Sequence, residues 1–168
     1  MNEIRPILER YKQKGILIDT NILLLWFVGT ANRGRISKFN RTEKFTAEDY
    51  DLLLRIILFF NKIVTTPHIL TEVNSLINQI GEPERSQCLS IFADIINHRL
   101  TESKIESATA TKLENFTKFG LTDCGIIVLA KDYLVLTDDF RLANYLQTVG
   151  IDVINFNHIR RNEWKVKG

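Results

Sequence analysis

Carboxylate side chains are the residues of this sequence that could do chemistry together. The acids in question are Asp19, Glu72, Asp123 and the adjacent pair Asp138 and Asp139. No cluster of His or Cys accompanies them, and oxygen ligands of this kind suit a hard divalent ion, Mg²⁺ or Mn²⁺. Three such acids could hold one ion, and four could hold a pair. The chemistry would be metal-assisted hydrolysis of a phosphodiester bond, in which a metal-bound water attacks phosphorus.

Strand-like and helix-like segments alternate along the chain and indicate how these acids could meet. The predicted strands are residues 16–18, 62–66, 133–137 and 152–156. The all-apolar run 16–18 is typical of a strand buried on both faces of a parallel sheet. Helices between the strands imply right-handed crossovers and a mostly parallel sheet. Because residues just beyond the ends of such strands share one crevice, Asp19 and the pair 138–139 are expected at the same rim.

Glu72 and Asp123 are expected to face inward on their helices. Glu72 lies on the first turns of the helix after the second strand, with apolar residues four and eight positions later. Asp123 begins a helix whose apolar residues follow at three, four and seven positions. A buried carboxylate is costly unless it is paired or binds a metal, and neither helix offers a basic partner one turn later. These two acids therefore favour a shared cation.

Each acid taken singly also has a simpler structural interpretation. Residues 19–21, Asp-Thr-Asn, are typical of a turn or a helix cap, and Glu72 alone is typical of an exposed helix flank. Asp123 could cap its helix or interact with the helix dipole, and residues 137–139 could simply start the next helix. The metal hypothesis depends on all of them lying at one rim.

The same residues resemble the motifs of the PIN-domain family of metal-dependent ribonucleases. Residues 16–21, ILIDTN, are similar to the first motif of that family, and Glu72 stands where its helix glutamate would. Residues 120–123, GLTD, resemble the third motif, and residues 137–139, TDD, resemble its Thr-x-Asp element. The resemblance covers residues 14–156. It implies an α/β, PIN-like three-layer fold with a mostly parallel central sheet flanked by helices.

The resemblance also implies roles for individual residues and for partners. The metal ligands and catalytic residues would be Asp19, Glu72, Asp123 and Asp139. Asn21 and Thr137 would orient carboxylates or phosphate. Asp138 is an extra acid beside Asp139, so either of these adjacent residues could be the metal ligand. Members of the family typically cleave single-stranded RNA with Mg²⁺ or Mn²⁺, often as homodimers, and many are toxins held inactive by a cognate antitoxin. We therefore expect an endoribonuclease with an RNA substrate, a homodimer and a possible antitoxin partner.

Positive charge is concentrated in two segments, although the net charge of the chain is only +2. Residues 29–45 lack periodicity and are predicted to form a long basic loop, inserted relative to compact family members. The candidate RNA-binding residues there are Arg33, Arg35, Lys38 and Arg41. Phe39 and Phe45 could stack on bases, whereas the alternative is a solvated loop that only keeps the protein soluble. The basic tail at about 157–168 is interpreted as surface.

Composition narrows the class of protein. A chain of 168 residues with 45% hydrophobic and 25% charged residues has the balance of one folded domain. The first residues lack the apolar stretch of a signal peptide, and no run approaches the ~20 apolar residues of a membrane span, so a cytoplasmic protein is expected. Cys88 and Cys124 are expected to be buried free thiols. The rival to an enzyme is a catalytically silent PIN-like module that binds RNA or a protein, against which the intact acid set argues.

Overall fold

The sheet is built around the strand Ile16–Ile18 (β1), whose three residues are completely buried. In the computed structural model, which describes residues 2–167 and the side chains of residues 2–162, five strands form one sheet. The other strands are β2 (Ile63–Thr65), β3 (Leu100–Glu102), β4 (Leu134–Thr137) and β5 (Val153–Asn155). Every neighbouring pair is parallel, in the order β3-β2-β1-β4-β5. The predicted α/β class, with a parallel sheet flanked by helices, is confirmed.

Helices occupy the connections between the strands. Their ranges are α1 (Arg5–Tyr11), α2 (Thr20–Ala31), α3 (Ala47–Phe59), α4 (Pro67–Ile77), α5 (Glu84–His98), α6 (Ser107–Thr111), α7 (Phe116–Leu129), α8 (Phe140–Thr148) and α9 (Phe156–Lys167). A 3₁₀ helix, Arg33–Lys38, lies between α2 and α3. None of the helices described is both long and apolar enough to cross a membrane. Both cysteines are buried and free, as predicted.

The order of the strands creates a crevice beside β1. Ile16 of β1 pairs with Ile63 of β2 on one side and with Leu134 of β4 on the other. The chain first adds strands on the β2 side and later adds β4 and β5 on the opposite side, so the direction of winding reverses at β1. In open parallel sheets, ligands bind beyond the carboxyl ends of the strands at such a reversal. The residues that follow β1 and β4 therefore face one opening.

The helix that follows β1, α2, is buried along most of its length. Residues 22–29 of α2 are all buried, because α2 packs against α3, α4 and α5. Gly29 permits a close approach of α3, since a Cβ at this position would lie 2.3 Å from Cδ2 of Tyr50. The hydroxyl groups of Tyr50 and Thr30 then form a 2.9 Å hydrogen bond. The packing of α2 along most of its length therefore holds its N-terminal residues in place beside β1.

The basic segment 29–45 is packed structure, and the prediction of a long loop was wrong. The first residues belong to α2, the 3₁₀ helix follows, and hydrogen-bonded turns lead into α3. Ile36, Phe39 and Phe45 are buried in the core, which gives the segment its shape. The buried hydroxyl of Thr42 donates to the carbonyl of Ile36 over 2.8 Å. Phe39 and Phe45 are therefore unavailable to stack on bases.

The basic tail also has an internal role, contrary to its interpretation as surface. Its first residues form α9, in which Ile159 and Arg160 are buried. The Arg160 guanidinium forms a 2.9 Å ion pair with the buried Asp49 of α3 and donates to the carbonyl of Lys44. Residues 163–168 of the predicted tail lie outside the side chains described. Through Arg160, the described part of α9 therefore fixes the end of the basic segment to α3 and the core.

The edge strand β3 and the division of the helices before β4 did not follow from the sequence. The strand β3 was missed, because it is a short edge strand whose residues are half-buried or exposed and carry no apolar pattern. Residues 105–119 hold no continuous helix, because the structure has the short α6 and then the start of α7. Gly120 makes a kink within α7, where it has φ 80° and ψ −177°.

Candidate active site

All five predicted acids line a single cleft at the carboxyl ends of β1 and β4. The cleft has a volume of about 620 Å³ and is bordered by α4 on one side and α7 on the other. The acids are Asp19, Glu72, Asp123, Asp138 and Asp139. Asn21 lines the cleft as well, together with Thr20 and Thr122, which sequence reasoning did not single out. The rim expected from the strand order therefore exists.

Asp19 is held rigidly where β1 ends and α2 begins. One carboxylate oxygen accepts the backbone N–H of Thr20 at 2.7 Å, and the other accepts the hydroxyl of Thr137 at 2.6 Å. The backbone N–H of Asp19 donates to Leu136 of β4. Burial raises the pKa of Asp19 to about 6, and the charges of Asp138 and Asp139 add to the increase, although the two hydrogen bonds oppose it. The carboxylate is thus fixed but poorly neutralised.

Thr137 connects the ends of the two central strands. Besides donating to Asp19, its buried hydroxyl accepts the backbone N–H of Asp139 at 3.0 Å. Asp139 in turn caps α8, accepting the backbone N–H groups of Arg141 at 2.9 Å and Leu142 at 3.3 Å. Thr137 therefore sets the separation of Asp19 and Asp139.

Asp138 differs from Asp139 in having a cation of its own. Its side chain is only 3% exposed and forms an ion pair with Lys44 from the basic segment. The Asn21 amide lies 3.4 and 3.5 Å from the two Asp138 carboxylate oxygens. The side chain of Asn157 donates to the Asp138 carbonyl at 3.0 Å. Nothing in the sequence pointed to the contact with Lys44, because the two residues are distant in the chain and share no motif.

Glu72 is exposed to the cleft, and the expectation that it is buried was wrong. The apolar stripe of α4 consists of Ile69, Leu70, Val73 and Ile77. Glu72 stands beside this stripe, so its carboxylate reaches solvent in the cleft. One oxygen accepts the hydroxyl of Thr20 at 2.9 Å and the other accepts the hydroxyl of Thr122 at 2.6 Å. Glu72 therefore joins α2, α4 and α7 across the cleft.

Asp123 is half-buried and faces the other acids. It lies just after the kink at Gly120, whose positive φ allows the chain to turn and begin the second half of α7. Burial is the main cause that raises its pKa to about 7, followed by the charges of Asp19, Asp139 and Glu72. The guanidinium of Arg141 partly opposes this rise. No residue in the described part of the chain donates a hydrogen bond to the Asp123 carboxylate, which matches the missing partner noted in the sequence.

The donor set fits a hard divalent cation, although the side chains do not form a complete coordination sphere. Among the described residues, no three His, Cys, Asp or Glu side chains converge closely enough to hold an ion as they stand. The acids nevertheless act on one another, since the charges of Asp19, Asp139 and Glu72 raise the pKa of Asp123. Oxygen donors with excess negative charge and solvent access suit Mg²⁺ or Mn²⁺, which retain several waters.

None of the four predicted RNA-binding residues is among the described residues that line the cleft. Arg33 forms a bidentate ion pair with Asp51, in which its Nη2 and Nε atoms donate to the two carboxylate oxygens at 2.7 and 3.3 Å. Arg35 lies 3.9 Å from Glu84, and Arg41 donates to Gln79 at 3.0 Å. Lys38 is exposed. Arg33 and Arg35 thus face acidic partners, whereas Arg41 bonds a neutral amide and Lys38 is exposed.

Comparison with known proteins adds no assignment. The sequence matches no protein-family model, and no curated protein matches it either. The likeness to the PIN domain consequently rests on the quoted motifs and on the parallel α/β architecture.

Proposed function

We propose that this chain is a Mg²⁺- or Mn²⁺-dependent endoribonuclease that hydrolyses phosphodiester bonds of single-stranded RNA. The observation that carries the proposal is the position of Asp123, which is half-buried without a hydrogen-bond donor in the described chain and faces Asp19, Glu72 and Asp139. Such an acid is unfavourable unless a cation joins it. A divalent ion shared by these acids explains why they are assembled at one opening.

Four acids would hold the metal, and neighbouring hydroxyls would position them. The proposed ligands are Asp19, Glu72, Asp123 and Asp139. The ion would supply an activated water and neutralise the charge that develops on the phosphate oxygens. Thr137 holds Asp19, while Thr20 and Thr122 hold Glu72, so three hydroxyls fix two carboxylates. Lys44 neutralises Asp138, which favours Asp139 as the ligand of the pair.

The resemblance to PIN domains extends the proposal to the biological setting. It supports a cytoplasmic RNA substrate, a homodimer, and a toxin role with a cognate antitoxin. Growth arrest on expression of the chain, relieved by the product of an adjacent small gene, would test the toxin role. A mass measurement in solution would test the homodimer.

Cleavage assays with a matched acid variant test the activity itself. The purified chain is incubated with fluorescent single-stranded RNA in Mn²⁺, Mg²⁺ or EDTA, alongside Asp123→Asn and the control Asp132→Asn, which removes an exposed acid beyond the end of α7. We expect cleavage with either metal, none in EDTA, a loss of at least about 100-fold in Asp123→Asn, and no loss in the control. RNA that is bound but left intact with both metals would favour the binding module.

A further inference from the structure

A second hollow lies beside the cleft, between α7 and α8. It has a volume of about 290 Å³. Its lining residues, which we call the α7–α8 hollow, are Lys118, Phe140, Arg141, Asn144, Tyr145 and Thr148. Phe140 is 67% exposed and directly follows Asp139 in the chain. An exposed aromatic side chain thus directly follows the proposed metal ligand Asp139 in the chain.

The hollow and the cleft share a wall. Phe119 lines the cleft, and its ring lies 5.2 Å from the ring of Tyr145, which lines the hollow. Arg141 is near enough to Asp123 to act on it electrostatically. A chain that leaves the cleft over Phe119 would therefore meet Phe140 and Tyr145 next.

The cations of the hollow are available to a ligand, in contrast to Arg33 and Arg35 of the basic segment. Neither Lys118 nor Arg141 forms a salt bridge with any described residue, although Lys118 lies over the ring of Phe119 at 5.3 Å. Arg33 and Arg35, by comparison, face Asp51 and Glu84. The backbone N–H groups of Arg141 and Leu142 are already bonded to Asp139, so the proposed anion contacts come from side chains.

We propose that the α7–α8 hollow binds a nucleotide of single-stranded RNA, with Phe140 stacking on the base and Lys118 and Arg141 contacting phosphates. Single exposed apolar residues are common on protein surfaces and need no explanation. Phe140 differs because Tyr145, Lys118 and Arg141 line the same hollow, and proteins combine aromatic and basic side chains to hold single strands without reading a sequence. The inference rests on the proposed function, since it takes the cleft as the place where the scissile phosphate lies.

Binding measured in EDTA tests the hollow independently of catalysis. The probes are a fluorescein-labelled single-stranded RNA, followed by anisotropy, and the same strand carrying 2-aminopurine, whose fluorescence is quenched by stacking. Phe140→Ala should weaken binding about tenfold and remove the quenching, and Phe140→Trp should restore both. The control is Leu58→Ala, which removes an apolar side chain that is 77% exposed on α3.

Charge variants test the phosphate contacts in the same assay. The double variant Lys118→Gln, Arg141→Gln should weaken binding and lower the slope of log Kd against log salt by about 0.7 for each lost contact. The double variant Arg33→Gln, Arg35→Gln is the matched control and should change neither as strongly. Wild-type affinity in Phe140→Ala and in the Lys118, Arg141 variant would overturn the proposal, as would a wild-type chain that binds no single strand.

The outcomes separate the hollow from the proposed function. If the protein binds RNA through Phe140 but cleaves none with either metal, the result supports RNA binding at the hollow and contradicts the nuclease function. If the protein cleaves RNA with metal and all hollow variants bind and cleave normally, the result supports the nuclease function and contradicts RNA binding at the hollow. Binding by the Phe140 surface to a protein partner but to no RNA would also contradict the inference.

Discussion

Thr137, at the end of β4, donates its hydroxyl proton to Asp19, at the end of β1, over 2.6 Å. The bond joins neighbouring strands that are 118 residues apart in the chain, and both side chains are buried. The same hydroxyl accepts the backbone N–H of Asp139, so one oxygen atom is hydrogen-bonded both to Asp19 after β1 and to Asp139 after β4. The geometry of the cleft therefore depends on a group that carries no charge.

Replacement of Thr137 by Val should weaken metal binding about 10- to 100-fold, since residues that orient metal ligands have effects of this size. The lost hydrogen bond no longer favours the charged form of Asp19, so its pKa should rise and metal binding should shift to higher pH. Calorimetric Mn²⁺ titrations between pH 6 and 8 measure both effects, and Thr137→Ser should behave like wild type. An unchanged pH profile in Thr137→Val would contradict the role assigned to the hydroxyl.

The raised pKa of Asp123 predicts a particular dependence of stability on pH. Folding raises this pKa from 3.8 to about 7, so the folded state binds the proton more tightly than the unfolded state. The contribution of Asp123 to stability is then complete below pH 3.8 and is lost as pH rises to about 7. Asp123→Asn should flatten this decline and should be more stable than wild type at pH 8, on the order of 1–2 kcal/mol after allowance for solvent screening.

Denaturant unfolding at pH 4, 6 and 8 provides the measurement for Asp123. Added Mn²⁺ should raise the midpoint of wild type at pH 8, where the acids are charged, and should raise that of Asp123→Asn much less. A wild-type stability that does not fall between pH 4 and 7 would show that the acids do not oppose one another in the folded state.

Asp138 and Asp139 should respond differently to the same change. Asp139→Asn should abolish metal-dependent cleavage, because it removes a proposed ligand. Asp138→Asn should retain more of the activity, since the Asp138 carboxylate is already paired with Lys44. Rates of cleavage with both metals decide the order, and the reverse order would identify Asp138 as the ligand.

The buried pair of Arg160 and Asp49 should be important for stability. Arg160→Gln leaves the Asp49 carboxylate buried without its cation, and breaking such a pair costs about 3–5 kcal/mol. Arg33→Gln is the control, because its pair with Asp51 is exposed and such pairs contribute about 0–1 kcal/mol. Urea unfolding compares the two variants, and equal losses would argue against the role of α9 in fixing the basic segment.

The acids after β1 and β4 were predictable because short apolar runs end directly at them. Ile16–Ile18 and the strand ending at Thr137 are buried on both faces, so burial leaves a clear pattern in the sequence. A parallel sheet then brings the residues that follow each run to the same end. The position of Asp19 and of the pair Asp138 and Asp139 at one edge of the sheet thus follows from the apolar pattern of the strands.

Other parts of the site left no periodic signal. Glu72 was expected to be buried because Leu76 and Ile80 follow it, but the stripe of α4 that packs inward is offset from this face. The 3₁₀ helix and turns before α3 bury Ile36 and Phe39 without a helical or strand repeat, so the segment resembled a loop. The contact of Lys44 with Asp138 depends on that packing and could not be predicted without it.

The reversal of winding at β1 has a consequence for how the protein is made. Asp19 and Glu72 belong to the half of the chain that a ribosome releases first, whereas Asp123 and Asp139 belong to the half that follows. Until β4 inserts beside β1, the nascent chain holds only part of the acid set. The acid set of the proposed site is therefore complete only once β4 has paired with β1.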